Sequence, residues 1–187
     1  MAAITFYLVR HGEAENNVRG ILNSSDRKEY HLTERGREQV KKTAEYLATV
    51  KADLLFSSPI LRARETAGII SDATGLPIMI DDRLWEVGMG TFNERSQREM
   101  LEKYPLPEMR LSPEEGDQME NFLQVRNRLD IFFEELKSRY ADKKIILVSH
   151  ADPLEQLHGI LTSEGPGRAA LGWHPETGSC TEFTYTY

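Results

Sequence analysis

Cysteine is nearly absent, with Cys180 alone in 187 residues. One thiol makes no internal disulfide, which fits a reducing compartment, and the expected location is cytoplasmic. Basic residues are outnumbered: 23 Lys and Arg against 30 Asp and Glu leave a formal charge of −7. A chain of that balance lacks the broad basic surface of a nucleic-acid binder, so any anionic ligand needs a local basic pocket. Long apolar runs are missing too, and nothing reaches the length of a membrane span. The opening residues to Arg10 carry no basic region ahead of their short apolar run, so no signal peptide is read there. Thirteen Gly and eight Pro are too few for a low-complexity chain. What is present is 40% hydrophobic residues over a length that buries one sizeable core. With no repeat or linker in view, residues 1–187 are expected to form a single domain.

Ile4 to Val9, Leu54 to Phe56, Ile78 to Ile80 and Ile145 to Val148 read as short buried strands. The tail from Ser179 to Tyr187 alternates loosely enough for a closing strand. Thr33 looks like an N-cap, with Val40, Ala44, Leu47 and Ala48 on one helical face. Ser58-Pro59 reads as a cap followed by Pro at the first helical position, opening a helix through about Ala73. Asp117 and Glu120 resemble a capping box ahead of Phe122, Leu129, Phe132, Phe133 and Leu136. A further helix is expected from Pro153 to about Leu161. Residues 81–113 form a long excursion with one short helix near residues 97–103, the kind of segment that often covers a binding site. Strands alternating with helices predict an α/β fold: a three-layer sandwich whose mostly parallel central sheet carries helices on both faces.

Three basic or imidazole signals follow three of these strands: Arg10-His11, then Arg62 in a first helical turn, then His150. In open α/β sheets ligands bind outside the carboxyl ends of the strands, so residues distant in sequence converge there. Two Arg, two His and the amides of a helix start suit a phosphate-sized dianion.

Leu8-Val9-Arg10-His11-Gly12-Glu13 followed by Asn17 resembles the signature of the histidine phosphatase superfamily, the phosphoglycerate-mutase-like fold. Leu32-Thr33 with Gly36, Ser57 to Ala63 with Thr66-Ala67, Leu84-Trp85-Glu86 with Gly88 and Gly90, and Val148-Ser149-His150 are similar to its later blocks. The resemblance implies a metal-independent phosphatase with no cofactor, acting on a small phosphorylated substrate rather than a nucleic acid or membrane. His11 would be the nucleophile, forming a phosphohistidine that water cleaves. Arg10, Arg62 and His150 would hold the phosphoryl oxygens, with Asn17 at the pocket edge and Ala151 beside the substrate. Glu86 would protonate the leaving group. Beside so much positive charge Glu86 tends to ionise, so its acid role requires desolvation or the arriving dianion.

The family usually has Gly after the second His; here Ala151-Asp152 stands instead. The expected arrangement puts Ala151 at a helix start, with Asp152 capping it and facing away from the ligand and Pro153 at the first helical position. His31, His158 and His174 read as structural or exposed, since no spacing pairs them as metal ligands. Cys180 reads as a small buried residue, and Trp85 and Trp173 are as readily packing residues as substrate contacts. Asp117, Gln118 and Arg126 are assigned to an ordinary capped helix, and Arg95 with Arg98 to a solvated face. Alternative readings are a phosphoglycerate-type mutase and a catalytically silent member of the fold that binds a phosphorylated ligand or a protein. Oligomeric state is not encoded in any of these signals.

Overall fold

The two most apolar short runs of the chain lie side by side. In the computed structural model, which describes residues 2–187, Ala3–Arg10 forms β1 and Lys144–Ser149 forms its parallel neighbour β4, with Leu8 opposite Leu147 and Val9 opposite Val148. β2 (Leu54–Ser57) pairs parallel with the other side of β4, and β3 (Ile78–Ile80) parallel with β2. β5 (Cys180–Thr186) closes the opposite edge antiparallel to β1, giving the order β3-β2-β4-β1-β5.

A strand covered on both faces has no polar side to alternate, so its sequence is continuously apolar. Phe6 and Leu8 point into one layer while Tyr7 and Val9 point into the other, and all four are buried. On one face α2 (Glu34–Val50) and α3 (Leu61–Thr74) bring Val40, Leu47 and Ile70 against Val9, Leu55 and Val148. On the other, α5 (Phe122–Arg139) and α6 (Ala151–Leu161) bring Phe132, Leu129 and Leu157 against Phe6, Leu8 and Leu147. Each fully buried side chain of this size contributes roughly 1.5–3 kcal/mol by leaving water. The expected three-layer α/β sandwich is the one observed. Among the described residues, no helix is long and apolar enough to cross a membrane.

Helix starts are where the structure departs from expectation. Thr33 caps α2 as read, its Oγ1 accepting from the Gly36 amide at 3.0 Å. Ser58 does not cap α3: the helix begins at Leu61 with Ile60 in the capping position, because the Ser58 hydroxyl is spent on His150 at 2.8 Å. Nor do Asp117 and Glu120 open α5. Asn121 and Gln124 form that capping box, while Asp117 accepts from Tyr104 at 2.5 Å and pairs with Lys103. α4 (Gln97–Lys103) lies where the short helix was expected, and the rest of the excursion is turns and short 3-10 segments. Two helices escaped the sequence reading, α1 (Glu15–Arg19) and α7 (Pro166–Gly172). At five and seven residues neither is long enough to show a periodic face.

The connections place the ligand crevice. The helix after β1 packs on one face of the sheet and the helix after β4 on the other, so β1 and β4 are the adjacent strands at which the winding reverses. Their register sets Arg10 opposite Ser149, which puts His11 and His150 at the same edge. The loop holding His11 is pressed against the start of α2. A Cβ on Gly12 would lie 2.6 Å from the Gly36 carbonyl oxygen, and one on Gly36 would lie 2.0 Å from the Glu13 carbonyl oxygen. Only glycine permits that approach.

Candidate active site

A cleft of 330 Å³ opens above the carboxyl ends of β1 and β4, and Arg10, His11, Asn17, Arg62, Glu86 and Ala151 all line it. His150 lies beneath, fully buried and with its ring centroid 5.1 Å from that of His11. The expected site residues are therefore brought together.

The hydrogen-bond partners determine both imidazole tautomers. His11 Nδ1 is 2.7 Å from the Gly12 carbonyl oxygen, which can only accept, so Nδ1 carries the proton. Its Nε2 then bears the lone pair, and Arg62 Nε donates to it at 3.0 Å. Arg62 Nη2 lies 3.1 Å from His150 Nδ1, which must accept, so His150 donates from Nε2 to Ser58. Burial holds both imidazoles well below their ordinary range, reinforced at His11 by Arg62 and Arg10, and at His150 by Arg62, His11 and Arg10. Both are neutral near pH 7.

Arg62 is 2% exposed, and every one of its nitrogens is engaged. Besides the two imidazoles it donates from Nη1 to Asn23 Oδ1 at 2.8 Å and from Nη2 to the Asn23 carbonyl at 3.0 Å. Burial pushes its pKa down to about 10, with Glu86 opposing that shift, so the guanidinium stays charged at neutral pH. Thr66 ties α3 to the His11 loop, accepting from the Gly12 amide at 3.1 Å and donating to the Arg62 carbonyl at 2.8 Å. Arg10 is held from the tail: its Nη1 donates to the Pro175 carbonyl at 2.8 Å and to His174 Nε2 at 3.2 Å. Its Nε is buried and has no partner. Asn17 Oδ1 accepts from the Ala14 amide at 2.9 Å, which anchors α1 at the cleft edge.

Glu86 accepts from the Val87 amide at 2.9 Å and sits 3.9 Å from His150 Nδ1. Only 13% of its side chain is exposed. That burial, with the nearby Asp152 carboxylate, pushes it up to about 7 against the pull of Arg62 and Arg10. The tendency to ionise expected from its cationic neighbours is outweighed by desolvation. Its loop is clamped by Arg128 of α5, which donates to the Arg83 carbonyl at 2.5 Å and to the Glu86 carbonyl at 3.4 Å. Arg128 is itself paired with Glu120, whose carboxylate accepts from the Gly88 amide at 3.0 Å.

Asp152 corrects the sequence reading. α6 begins at Ala151 with His150 in the capping position, and Pro153 sits at the third helical residue. Asp152 neither caps the helix nor faces away: it lines the cleft and pairs with Arg110. His174 is likewise part of the cleft wall, with its Nδ1 donating to Glu155. Arg110, Asn23, Glu155 and Arg128 carried no motif of their own and were missed; Ser58 was read only as a helix cap and His174 only as a stray histidine. Gln118 closes the 3-10 turn Glu115–Asp117 and lies outside α5, whereas Arg126 lies within it; the other candidates behave as read. His31 pairs with Glu65, and His158 stacks against Trp173 and Phe183. Arg95 and Arg98 pair with Glu99 and Glu102 on the solvated side of α4. Trp85 donates to the Ser24 carbonyl at 2.7 Å. Cys180 is half-buried, and burial pushes its thiol up to about 12.

A neutral imidazole with an aimed lone pair, two guanidinium groups and a protonatable carboxyl at a sheet switch point define an α/β enzyme site for a compact anion. Residues 6–187 match the histidine phosphatase superfamily (branch 1), and the chain belongs to that family. It is 31% identical over 167 residues to phosphoserine phosphatase 1 of Hydrogenobacter thermophilus, covering 84% of this chain and 76% of that one. It is 32% identical over 147 residues to a 2,3-bisphosphoglycerate-dependent phosphoglycerate mutase of Thermoplasma acidophilum, covering 79% and 70%. A mycobacterial glucosyl-3-phosphoglycerate phosphatase shares the fold at a TM-score of 0.83 and 23% identity, over 95% of this chain and 90% of its own. The protein is a phosphatase of the histidine phosphatase family.

Proposed function

We propose that this phosphatase hydrolyses small phosphomonoesters through a phosphohistidine on His11, without a metal ion and in the cytoplasm, as one catalytic domain. The observation that carries the reading is the His11 Nε2 lone pair, held neutral and directed at Arg62 inside the cleft. An arriving phosphoryl group takes the place of that imidazole as the acceptor for Arg62, leaving Nε2 free to attack phosphorus. Arg10 and Arg62 then hold the equatorial oxygens, where the charge of the transition state concentrates, and His150 joins them as a donor once its proton shifts from Nε2 to Nδ1, the Ser58 hydroxyl then donating to Nε2. Glu86 gives its proton to the departing alcohol and afterwards takes one from the water that cleaves the phosphohistidine.

Hydrolysis is favoured over mutase chemistry by the modest cover. Between Glu86 and α5 only α4 and short 3-10 turns stand over the cleft, and Leu101, Leu106 and Met109 are exposed there. A mutase must keep water from its phosphoenzyme. Incubation with 3-phosphoglycerate and a bisphosphoglycerate primer in excess chelator tests both points. Release of inorganic phosphate from this mixture or from an aryl phosphate, without formation of the 2-isomer, is the expected result. Rapid isomerisation with little phosphate release, or activity restored only by added magnesium, would overturn the reading.

The pH profile follows from the same groups. His11 is lowered, so it remains unprotonated and able to attack until the pH falls well below 6.5. Glu86 is raised, so it holds its proton below about 7 and loses the acid function as pH rises through that value. The kcat/KM of an alkyl phosphate is therefore expected to decline above about pH 7. Glu86→Gln flattens this alkaline limb and costs about 100-fold with alkyl phosphates, but much less with aryl phosphates, whose leaving groups need no proton. Equal losses for the two classes would show that Glu86 is not the acid.

A further inference from the structure

The wall of the same cleft holds a buried ion pair that the hydrolytic steps do not use. Arg110, from the 3-10 segment Pro107–Leu111, is 9% exposed, and its guanidinium packs 4.4 Å over the Phe122 ring. Asp152 meets it fork on fork: Nη1 reaches Oδ1 at 3.3 Å and Nη2 reaches Oδ2 at 2.5 Å. Both residues line the cleft.

We propose that Asp152 sets the leaving-group preference by keeping Arg110 occupied, so that the cleft takes phosphomonoesters of uncharged, partly apolar alcohols and discriminates against those bearing a carboxylate. The inference rests on the phosphatase reading. Alone, Arg110 would be a rigid, preplaced receptor for a carboxylate. With both Nη groups engaged it presents no free fork. A carboxylate arriving there must split a buried pair or share its cation, and splitting such a pair leaves a buried charge uncompensated. It also meets the negative charge of Asp152, with Glu155 lining the same wall. The one donor Arg110 has left, Nε, is buried and without a partner, so it gives an arriving carboxylate no second point of attachment. The neighbouring wall is formed by Ile21, Leu22, Met89, Met100, Leu101 and Pro107 and offers apolar contact instead of charge.

Glycerol 3-phosphate and 3-phosphoglycerate present the same primary phosphate ester and differ in a hydroxymethyl group against a carboxylate, so their ratio of kcat/KM isolates this contact. Where turnover is slow, their inhibition constants against aryl phosphate hydrolysis serve equally. The wild-type protein is expected to favour glycerol 3-phosphate by about tenfold or more. Asp152→Asn frees Arg110 and should move the ratio toward 3-phosphoglycerate by about tenfold, whereas adding Arg110→Gln should abolish that gain. Using a ratio cancels any loss common to both substrates, including one transmitted through Glu86. A wild-type ratio near one or in favour of 3-phosphoglycerate would overturn the proposal even if the variants do not fold. So would an unchanged ratio in folded Asp152→Asn. Failure to hydrolyse any phosphomonoester, aryl phosphates included, would instead overturn the phosphatase reading.

Discussion

His11→Ala is expected to leave a folded protein whose turnover falls by at least about 10⁴-fold, since groups that act as a unit in covalent catalysis do not substitute for one another. No other side chain in the cleft stands ready to take its place. His150 is fully buried and does not line the cleft as His11 does, and the Ser58 hydroxyl already accepts from His150 and from the Ile60 amide. The truncation leaves the Gly12 carbonyl without its imidazole donor, a loss of about 1–3 kcal/mol that a folded core of this size absorbs. Circular dichroism separates this modest destabilisation from unfolding. Rapid quench with a labelled phosphomonoester should trap one phosphoryl group per wild-type chain and none on the variant. Undiminished turnover, or a label on another residue, would end the phosphohistidine mechanism.

Arg62→Ala is expected to lower kcat/KM by roughly 10³-fold, the scale on which a single well-placed guanidinium stabilises phosphoryl transfer. A second signature distinguishes this from general damage. Arg62 is one of the charges that hold His11 and His150 below their ordinary range. Removing it lets His11 accept a proton more readily, so the acid limb of the pH profile should move to higher pH. The limb stops short of an unperturbed imidazole, because burial is the larger cause of the depression and survives the substitution. Arg62→Lys should restore little, since one ammonium cannot reproduce a fork that reaches His11, Asn23 and His150 together. Measuring kcat/KM across pH for both variants checks the argument. An unmoved acid limb, or full rescue by lysine, would show that Arg62 serves the fold alone.

Much of the architecture was legible because burial on both faces leaves a strong mark. Ile4 to Val9 and Ile145 to Val148 could only be interior strands of a covered sheet, and Arg10, His11 and His150 follow from where those strands end. The local blocks around His11, Arg62, Glu86 and His150 could be read as one site because each is a short run at an element boundary.

What the linear chain concealed were competing uses for the same polar atoms. Ser58 and Asp152 both read as helix caps, since a hydroxyl or carboxylate just ahead of a helix usually satisfies its free amides. In the folded protein the Ser58 hydroxyl accepts from His150, and Asp152 answers a buried guanidinium 42 positions earlier in the chain. A charged group removed from water must find its partner wherever the fold supplies one. The same holds for His174, set 164 positions after the Arg10 it supports. Local sequence therefore determined the strands, most of the helices and which residues of the strand ends meet in the cleft. Only the tertiary structure decided which side chains neutralise, orient and surround them, because those pairings are made between segments whose proximity exists only after folding.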